Sequence, residues 1–301
     1  MNNIIIFSFP GNKRFAHLLA NKLHIEEGRF IIKRFPDGES YVRINSSVRG
    51  KIVILFCTLN NPDKKILSLM FTAQTFKELG AKKIILISPY LPYMRQDKRF
   101  EAGEAVTSRL FAKFLSNWVD YLITIDPHLH RVHHLSSIYS IPVLTLHATN
   151  EIAQWIKVNI QFPFLVGPDS ESKQWVSEIA NHIKAPYIIC EKHRVSAHEV
   201  EMKVPLLSLT NETIIILDDI ISTGSSMLAI LKQLSGQGNK HVICLAIHPL
   251  FNKTTKDKLI SLGAKEIITC NTIQDTSNKI NITELIAIHL KKLLKNLNEG
   301  S

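Results

Sequence analysis

IIILDDIISTGSSM, residues Ile214 to Met227, carries three kinds of chemistry in one short stretch. The aliphatic run Ile214 to Leu217 predicts a buried strand, because β-branched and leucine side chains suit a sheet covered on both faces. Two acids, Asp218 and Asp219, stand at its predicted carboxyl end. Hydroxyls then surround a glycine, in the order Ser222, Thr223, Gly224, Ser225, Ser226, before an apolar helical pattern through Met227, Leu228, Ile230, Leu231 and Leu234. Strand, loop and helix start together make an anion cradle, since unpaired backbone N–H groups and the positive end of the helix dipole converge there. Carboxylates beside such a cradle rule out a plain phosphate pocket. They accept hydrogen bonds from sugar hydroxyls or hold a bridging cation, so a phosphorylated sugar fits both halves. The simpler alternative is a strand running into a helix capped by Ser222 or Thr223, for which one hydroxyl would suffice. No GxxxxGK[ST] loop is present.

Outward from this stretch, strand-like runs alternate with helical patterns. Strands are expected at 3–8, 30–33, 51–57, 83–88 and 121–126, and a second series at 164–167, 185–190, 213–218, 241–247 and 266–269. Helices are expected at 14–23, 62–79, 105–118, 148–158, 171–183 and 224–234. Such alternation predicts an α/β protein of mainly parallel sheets flanked by helices, here as two tandem domains, 1–145 and 146–301, joined near Ser140 to His147. Ile282, Leu285, Ile286, Leu290, Leu293, Leu294 and Leu297 lie at helical spacing and predict a closing helix that docks by its apolar face.

The chain has 301 residues, 45% of them hydrophobic, which is enough for two ordinary domains. Its apolar runs are strand length, so no membrane partner is expected, and Ile4 to Phe9 is too short and unflanked for a signal peptide. Cys57, Cys190, Cys244 and Cys270 are scattered without a CxxC and read as reduced core thiols of a cytoplasmic protein. A net charge of +10 suits polyanionic ligands. Basic residues are spread along the chain without the interleaved aromatics of an RNA module, and charge alone does not choose between phosphorylated metabolites, nucleic acid and a merely solvated basic surface.

Four more loops follow predicted strands, where ligands of open α/β sheets gather. Arg34-Phe35-Pro36-Asp37-Gly38-Glu39 turns at Pro-Asp-Gly. It is either a bare hairpin, or a site where Phe35 stacks on a base while Asp37 and Glu39 accept from an exocyclic amine. In the segment Pro89 to Phe100, Arg95, Lys98 and Arg99 can clamp a polyphosphate and Gln96 can bond a nucleotide. Thr124 to His130 ends a strand with metal-capable groups. His133 and His134 lie close by, but no cysteine or HExxH pattern supports zinc. In Cys190-Glu191-Lys192-His193-Arg194, cations two apart on an extended segment project to the same side. The continuation, with His198, Glu199 and Glu201, reads as a flap or hairpin. Asp169, in Gly167-Pro168-Asp169, is suited to capping a helix that begins near Glu171.

The DDIISTGSS segment resembles the phosphoribosyl-binding motif of type I phosphoribosyltransferases and of ribose-phosphate pyrophosphokinases, and RFPDGE and RQDKRF resemble the latter, in its archaeal-like form. The resemblance spans almost the whole chain and implies two tandem phosphoribosyltransferase-type domains. It further implies that ATP and ribose 5-phosphate are the substrates and that Mg2+ is the cofactor. Phosphoribosyl pyrophosphate and AMP would be the products, and the assembly a homo-oligomer of two or more copies. Phe35, Asp37, Gly38, Glu39, Arg95 and Gln96 are implied to bind ATP. Arg194, Asp218, Asp219, Ser222, Thr223, Gly224, Ser225 and Ser226 are implied to bind ribose 5-phosphate. His128 and Asp169 are implied to serve the metal, and Lys192 with Arg194 to carry catalysis. His130, His133 and His134 receive no such role. Ser225 stands where that family usually has glycine; a positive φ there would strain a serine. A plain phosphoribosyltransferase would leave RFPDGE and RQD without purpose, and a regulatory homologue would not need Lys192 and Arg194.

Overall fold

A computed structural model describes residues 3–129, 131–194, 200–207, 209, 211–239 and 241–299, with the backbone alone for residues 192–194, 200–202 and 298. The chain divides into two units, residues 1–146 with 283–301, and residues 147–282. His130, His198 and Glu199 lie outside the described residues.

The first unit contains β1 (Ile4–Ser8), α1 (Lys13–Leu23), β2 (Glu26–Glu27), β3 (Phe30–Arg34), β4 (Ser40–Ile44), β5 (Ile52–Phe56), α2 (Ile66–Glu78), β6 (Lys83–Ile87), α3 (Thr107–Ser116), β7 (Tyr121–Ile125) and β8 (Val143–Leu146). Its sheet has the order β2-β1-β5-β6-β7-β8, every pair parallel. Successive strand residues point to opposite faces, yet Ile4, Ile5, Ile6 and Phe7 are all buried, so helices cover the sheet on both sides. Phe7 is fully buried against Phe30 and Phe76 at ring separations of 5.6 and 4.6 Å. Strands β3 and β4 leave the sheet as an antiparallel ribbon.

The second unit contains α4 (Thr149–Asn159), β9 (Pro163–Gly167), α5 (Lys173–Ile183), β10 (Tyr187–Ile189), β11 (Glu191–Arg194), β12 (Val200–Lys203), β13 (Thr213–Ile221), α6 (Ser225–Gly236), β14 (Val242–Pro249), α7 (Lys253–Ser261), β15 (Ala264–Cys270) and β16 (Asn278–Ile280). Its sheet, β10-β9-β13-β14-β15-β16, is again wholly parallel, and β11 with β12 forms a separate antiparallel ribbon. The two sheets repeat one plan. In each, the second strand goes to the edge, a ribbon follows, and the next strand pairs on the other side of the first. That reversal puts a topological switch point, and with it a ligand crevice, at the carboxyl ends of β1 and β5 and of β9 and β13.

The closing helix α8 (Thr283–Glu299) belongs to the first unit, not with residues 146–282 as the sequence suggested. It packs on α1, where Lys22 pairs with Glu284, and its buried stripe is Ile286, Leu290 and Leu294. Spacing reveals an apolar face but not the surface that receives it. Residues 143–146, read as a linker, form β8 against β7. No described helix is long and apolar enough to cross a membrane.

Candidate active site

In the second unit the acids do not end their strand. β13 continues to Ile221, because Ile220 and Ile221 are buried and extend the parallel ladder opposite His248 and Pro249. Asp218 and Asp219 are therefore half-buried within the strand, and the Asp219 N–H donates to Asp218 Oδ1 at 2.9 Å. Burial first, then the neighbouring charges of Asp219 and Asp169, push the Asp218 carboxyl well above the usual carboxylate range. Asp169 reaches this group from the carboxyl end of β9, the strand beside β13. Its Oδ1 also accepts from the backbone N–H groups of Glu171 and Ser172 at 3.1 and 3.2 Å, so it organises the entry to α5. α5 begins at Lys173, two residues later than the start expected near Glu171.

Ser222, Thr223 and Gly224 make the turn into α6. Gly224, not a hydroxyl residue, precedes the first helical residue, at φ 73°, and no side chain caps the helix. A Cβ on Gly224 would also lie 3.0 Å from Thr255 Cγ2. The uncapped start leaves its N–H groups facing the loop, as an anion site requires. Ser225 is the first residue of α6 and its φ is not positive, so the strain expected for serine there is absent. Glycine is demanded one position earlier. Ser225 Oγ accepts from Thr223 Oγ1 at 3.3 Å.

Lys192 and Arg194 lie on β11, opposite Met202 and Val200 of β12. The ribbon leaves β10 directly after Cys190, whose N–H donates to the Gly167 carbonyl, so it is rooted at the same sheet end as Asp169. The structure thus brings Asp169, Asp218, Asp219 and the 222–226 loop to one switch point.

The first unit holds the remaining candidates. Phe35, Asp37, Gly38 and Glu39 form the exposed tip of the β3–β4 ribbon. The Phe35 N–H donates to the Glu39 carbonyl at 2.8 Å, Asp37 Oδ1 accepts from the Glu39 N–H at 3.1 Å, and Gly38 sits at φ 95°, where only glycine is unstrained. Phe35 is 49% exposed, with its ring edge-on to Tyr41, so one face is open to a planar ligand. Arg95 is exposed and Gln96 half-buried in the loop after β6. Lys98 and Arg99 are engaged locally, Lys98 over the Phe100 ring at 5.0 Å and Arg99 donating to the Glu104 carbonyl at 2.9 Å. His128 is half-buried after β7, following Asp126 at φ 35°, while His133 and His134 are exposed. His128 and Asp169 fall in different units. Among the described residues no group of three or more His, Cys, Asp or Glu side chains closes on a point that would hold a metal. Magnesium does not need one, since it commonly takes one or two carboxylates and completes its shell with water and substrate phosphates. The clustered charge around Asp218 is a donor set that a divalent cation would relieve.

The first unit's own switch point is closed. Asn12, 7% exposed, donates to the Phe9 and Pro10 carbonyls and accepts the Thr58 N–H at 3.0 Å. Lys65 Nζ donates to the Thr58 carbonyl at 2.7 Å and to Asn60 Oδ1 at 2.5 Å, and burial lowers its pKa. That closure could not be read from the motifs, because Asn12 and Thr58 are far apart in sequence.

Residues 4–118 match the N-terminal domain of ribose phosphate pyrophosphokinase, and residues 134–298 match the phosphoribosyl transferase domain. The chain is 37% identical over 265 residues to a ribose-phosphate pyrophosphokinase of Saccharolobus solfataricus, covering 86% of this chain and 90% of the relative. The chain belongs to the ribose-phosphate pyrophosphokinase family. A Methanopyrus kandleri member is 29% identical over 292 residues, covering 96% of this chain and 99% of that one. The crystal structure of phosphoribosylpyrophosphate synthetase from Mycobacterium smegmatis shares the fold, with a TM-score of 0.84, 23% identity, and coverage of 98% of this chain and 99% of that one.

Proposed function

We propose that the protein is a ribose-phosphate diphosphokinase, transferring the β,γ-diphosphoryl group of ATP to the 1-hydroxyl of ribose 5-phosphate. Phosphoribosyl pyrophosphate and AMP are the products, and the reaction feeds nucleotide biosynthesis. The observation that carries this reading is the pairing of two strand acids with an uncapped, glycine-led helix start in a chain of this family.

Asp218 and Asp219 accept from the ribose hydroxyls, and Ser222, Thr223, Gly224, Ser225 and Ser226 wrap the 5-phosphate. Phe35, Asp37, Gly38, Glu39, Arg95 and Gln96 recognise ATP, so the ATP determinants belong to the first unit and the sugar determinants to the second. The 1-hydroxyl oxygen attacks the β-phosphorus in line, the bond to the bridging oxygen breaks, AMP leaves with that oxygen, and the hydroxyl proton passes to solvent. Charge gathers on the phosphoryl oxygens, so positioning and electrostatics dominate. Lys192 and Arg194 neutralise the group in flight, and Arg194 also contacts the sugar phosphate. Asp169 and His128 are assigned to Mg2+, which when bound neutralises phosphate charge and orients the donor. The enzyme is placed in the cytoplasm as a homo-oligomer of two or more copies. AMP release from ATP that depends on ribose 5-phosphate tests this reading; AMP release independent of the sugar, or none, overturns it.

A further inference from the structure

The RFPDGE hairpin and the loop bearing Arg95 and Gln96 are both tied to residues 60–65, which precede α2, although the helix was expected from Pro62. From the hairpin, Arg34 donates through Nη1 to the Gly38 carbonyl at 3.0 Å and through Nη2 to the Lys64 carbonyl at 2.7 Å. One guanidinium thus closes the turn and fixes it to the segment. From the other loop, the Tyr93 hydroxyl donates to Asp63 Oδ1. Tyr93 stands two residues before Arg95 at φ 63°, a left-handed conformation that a tyrosine holds only when its surroundings impose it. Those surroundings are visible: its ring lies 4.8 Å from that of Phe111, and its carbonyl accepts from Thr107 Oγ1 at 3.3 Å. Burial and the Asp63 carboxylate push the Tyr93 phenol up to about 12, so it stays a donor throughout the physiological range. The segment is itself anchored to the end of β5 by the Lys65 bonds to Thr58 and Asn60.

We propose that residues 60–65 are a brace that sets the positions of both ATP-recognition loops, with Arg34, Asp63 and Tyr93 as positioning residues for the nucleotide. The inference rests on the diphosphokinase reading and adds to it residues that do not touch substrate. Arg34 reaches the two carbonyls with two separate nitrogens, and a lysine at position 34 offers one ammonium in place of that fork.

The test compares Tyr93→Phe, Asp63→Ala, their double variant and Arg34→Lys with wild type. AMP formation is measured over separate ATP and ribose 5-phosphate titrations, and binding of α,β-methylene ATP by calorimetry. Tyr93→Phe keeps the ring against Phe111, so thermal melting should stay close to wild type. Each single variant should raise the KM for ATP and the analogue's Kd by about five- to tenfold. The KM for ribose 5-phosphate should stay within about twofold, and the double variant should be no worse than either single. Unchanged ATP parameters, equal shifts in both KM values, or multiplying effects in the double variant overturn the brace. A wild type that binds the analogue but makes no sugar-dependent AMP defeats the diphosphokinase reading, and calorimetry on the variants then still decides the brace. A wild type that binds no analogue overturns both.

Discussion

Asp97 and Arg131 fasten the loop after β6 to the loop after β7. The Arg131 backbone N–H donates to Asp97 Oδ2 at 2.9 Å, and its Nη1 donates to Oδ1 at 3.0 Å, while the Asp97 side chain is almost fully buried. Arg95 and Gln96 immediately precede this anchor, and His128 lies three residues before Arg131. Asp97 is therefore the structural member of the RQD signature.

This anchor makes stability depend on acid pH. Burial alone would raise the Asp97 carboxyl, but the Arg131 N–H, its guanidinium and its charge together hold the group below the ordinary range. A carboxyl depressed in the folded state stabilises fully above its unfolded pKa of about 3.9, and that contribution is lost as pH falls through the folded value. Asp97→Asn should cost about 1–3 kcal/mol at pH 7. Thermal melting of both proteins from pH 7 to pH 2.5 should show the gap narrowing only below about pH 4. A gap that is constant across the range, or that closes near neutrality, contradicts the assignment.

Gly224 should be sensitive to substitution and Ser225 tolerant of it. Gly224→Ala forces a side chain into the left-handed region and against Thr255 Cγ2, so it should destabilise by about 1–3 kcal/mol and raise the KM for ribose 5-phosphate. Ser225→Gly acts where φ is not positive, and should change stability by less than about 1 kcal/mol. Chemical denaturation and sugar titrations check both; a strong gain from Ser225→Gly would show that serine is strained there after all.

The strand, glycine loop and helix around residue 220 were legible because β-branched runs, a turn glycine and 3.6-residue spacing are local signals. The end of β13 was not. Ile220 and Ile221 follow two acids, and only their ladder with β14 keeps them in the sheet. Helix α7 escaped notice because it buries little beyond Thr255 and Leu259 in an otherwise polar stretch. The helical spacing of α8 was plain, but its docking on α1 depends on a surface more than two hundred residues away in sequence. In the candidate site, the residue types announced themselves, whereas Asp63, Tyr93, Asp97 and Arg34 act through partners outside any motif.

The two antiparallel ribbons occupy the same place in the repeated plan, each inserted after the edge strand of its sheet. One carries RFPDGE and the other Lys192 and Arg194, so candidate residues of both units lie at the same insertion point. No strand of either ribbon belongs to a six-stranded sheet. Lys192→Ala should accordingly lower kcat by at least about a hundredfold, the scale for losing one transition-state donor, while leaving thermal melting nearly unchanged. Retained turnover would remove Lys192 from the mechanism.

Asp218 should show the opposite balance between stability and activity. Its carboxyl is raised by burial and by Asp219 and Asp169, so in the protein without ligands the ionised form is disfavoured. For a raised group the neutral form is the favoured one, and stability is lost as pH climbs through the folded pKa. Asp218→Asn keeps the shape, removes the charge, and should raise the melting temperature at pH 7.5 by roughly a few degrees. Adding Mg2+ should stabilise wild type by mass action and stabilise the variant less, since part of the charge that attracts the cation is gone. Ribose 5-phosphate turnover should fall sharply in the same variant, because an amide accepts through one oxygen where the carboxylate offers two. Melting curves with and without Mg2+, read beside AMP formation, separate the cases. A variant that melts lower than wild type without metal, or gains as much from Mg2+, would mean that the acids at this switch point are held by protein contacts and not poised for a cation or a sugar.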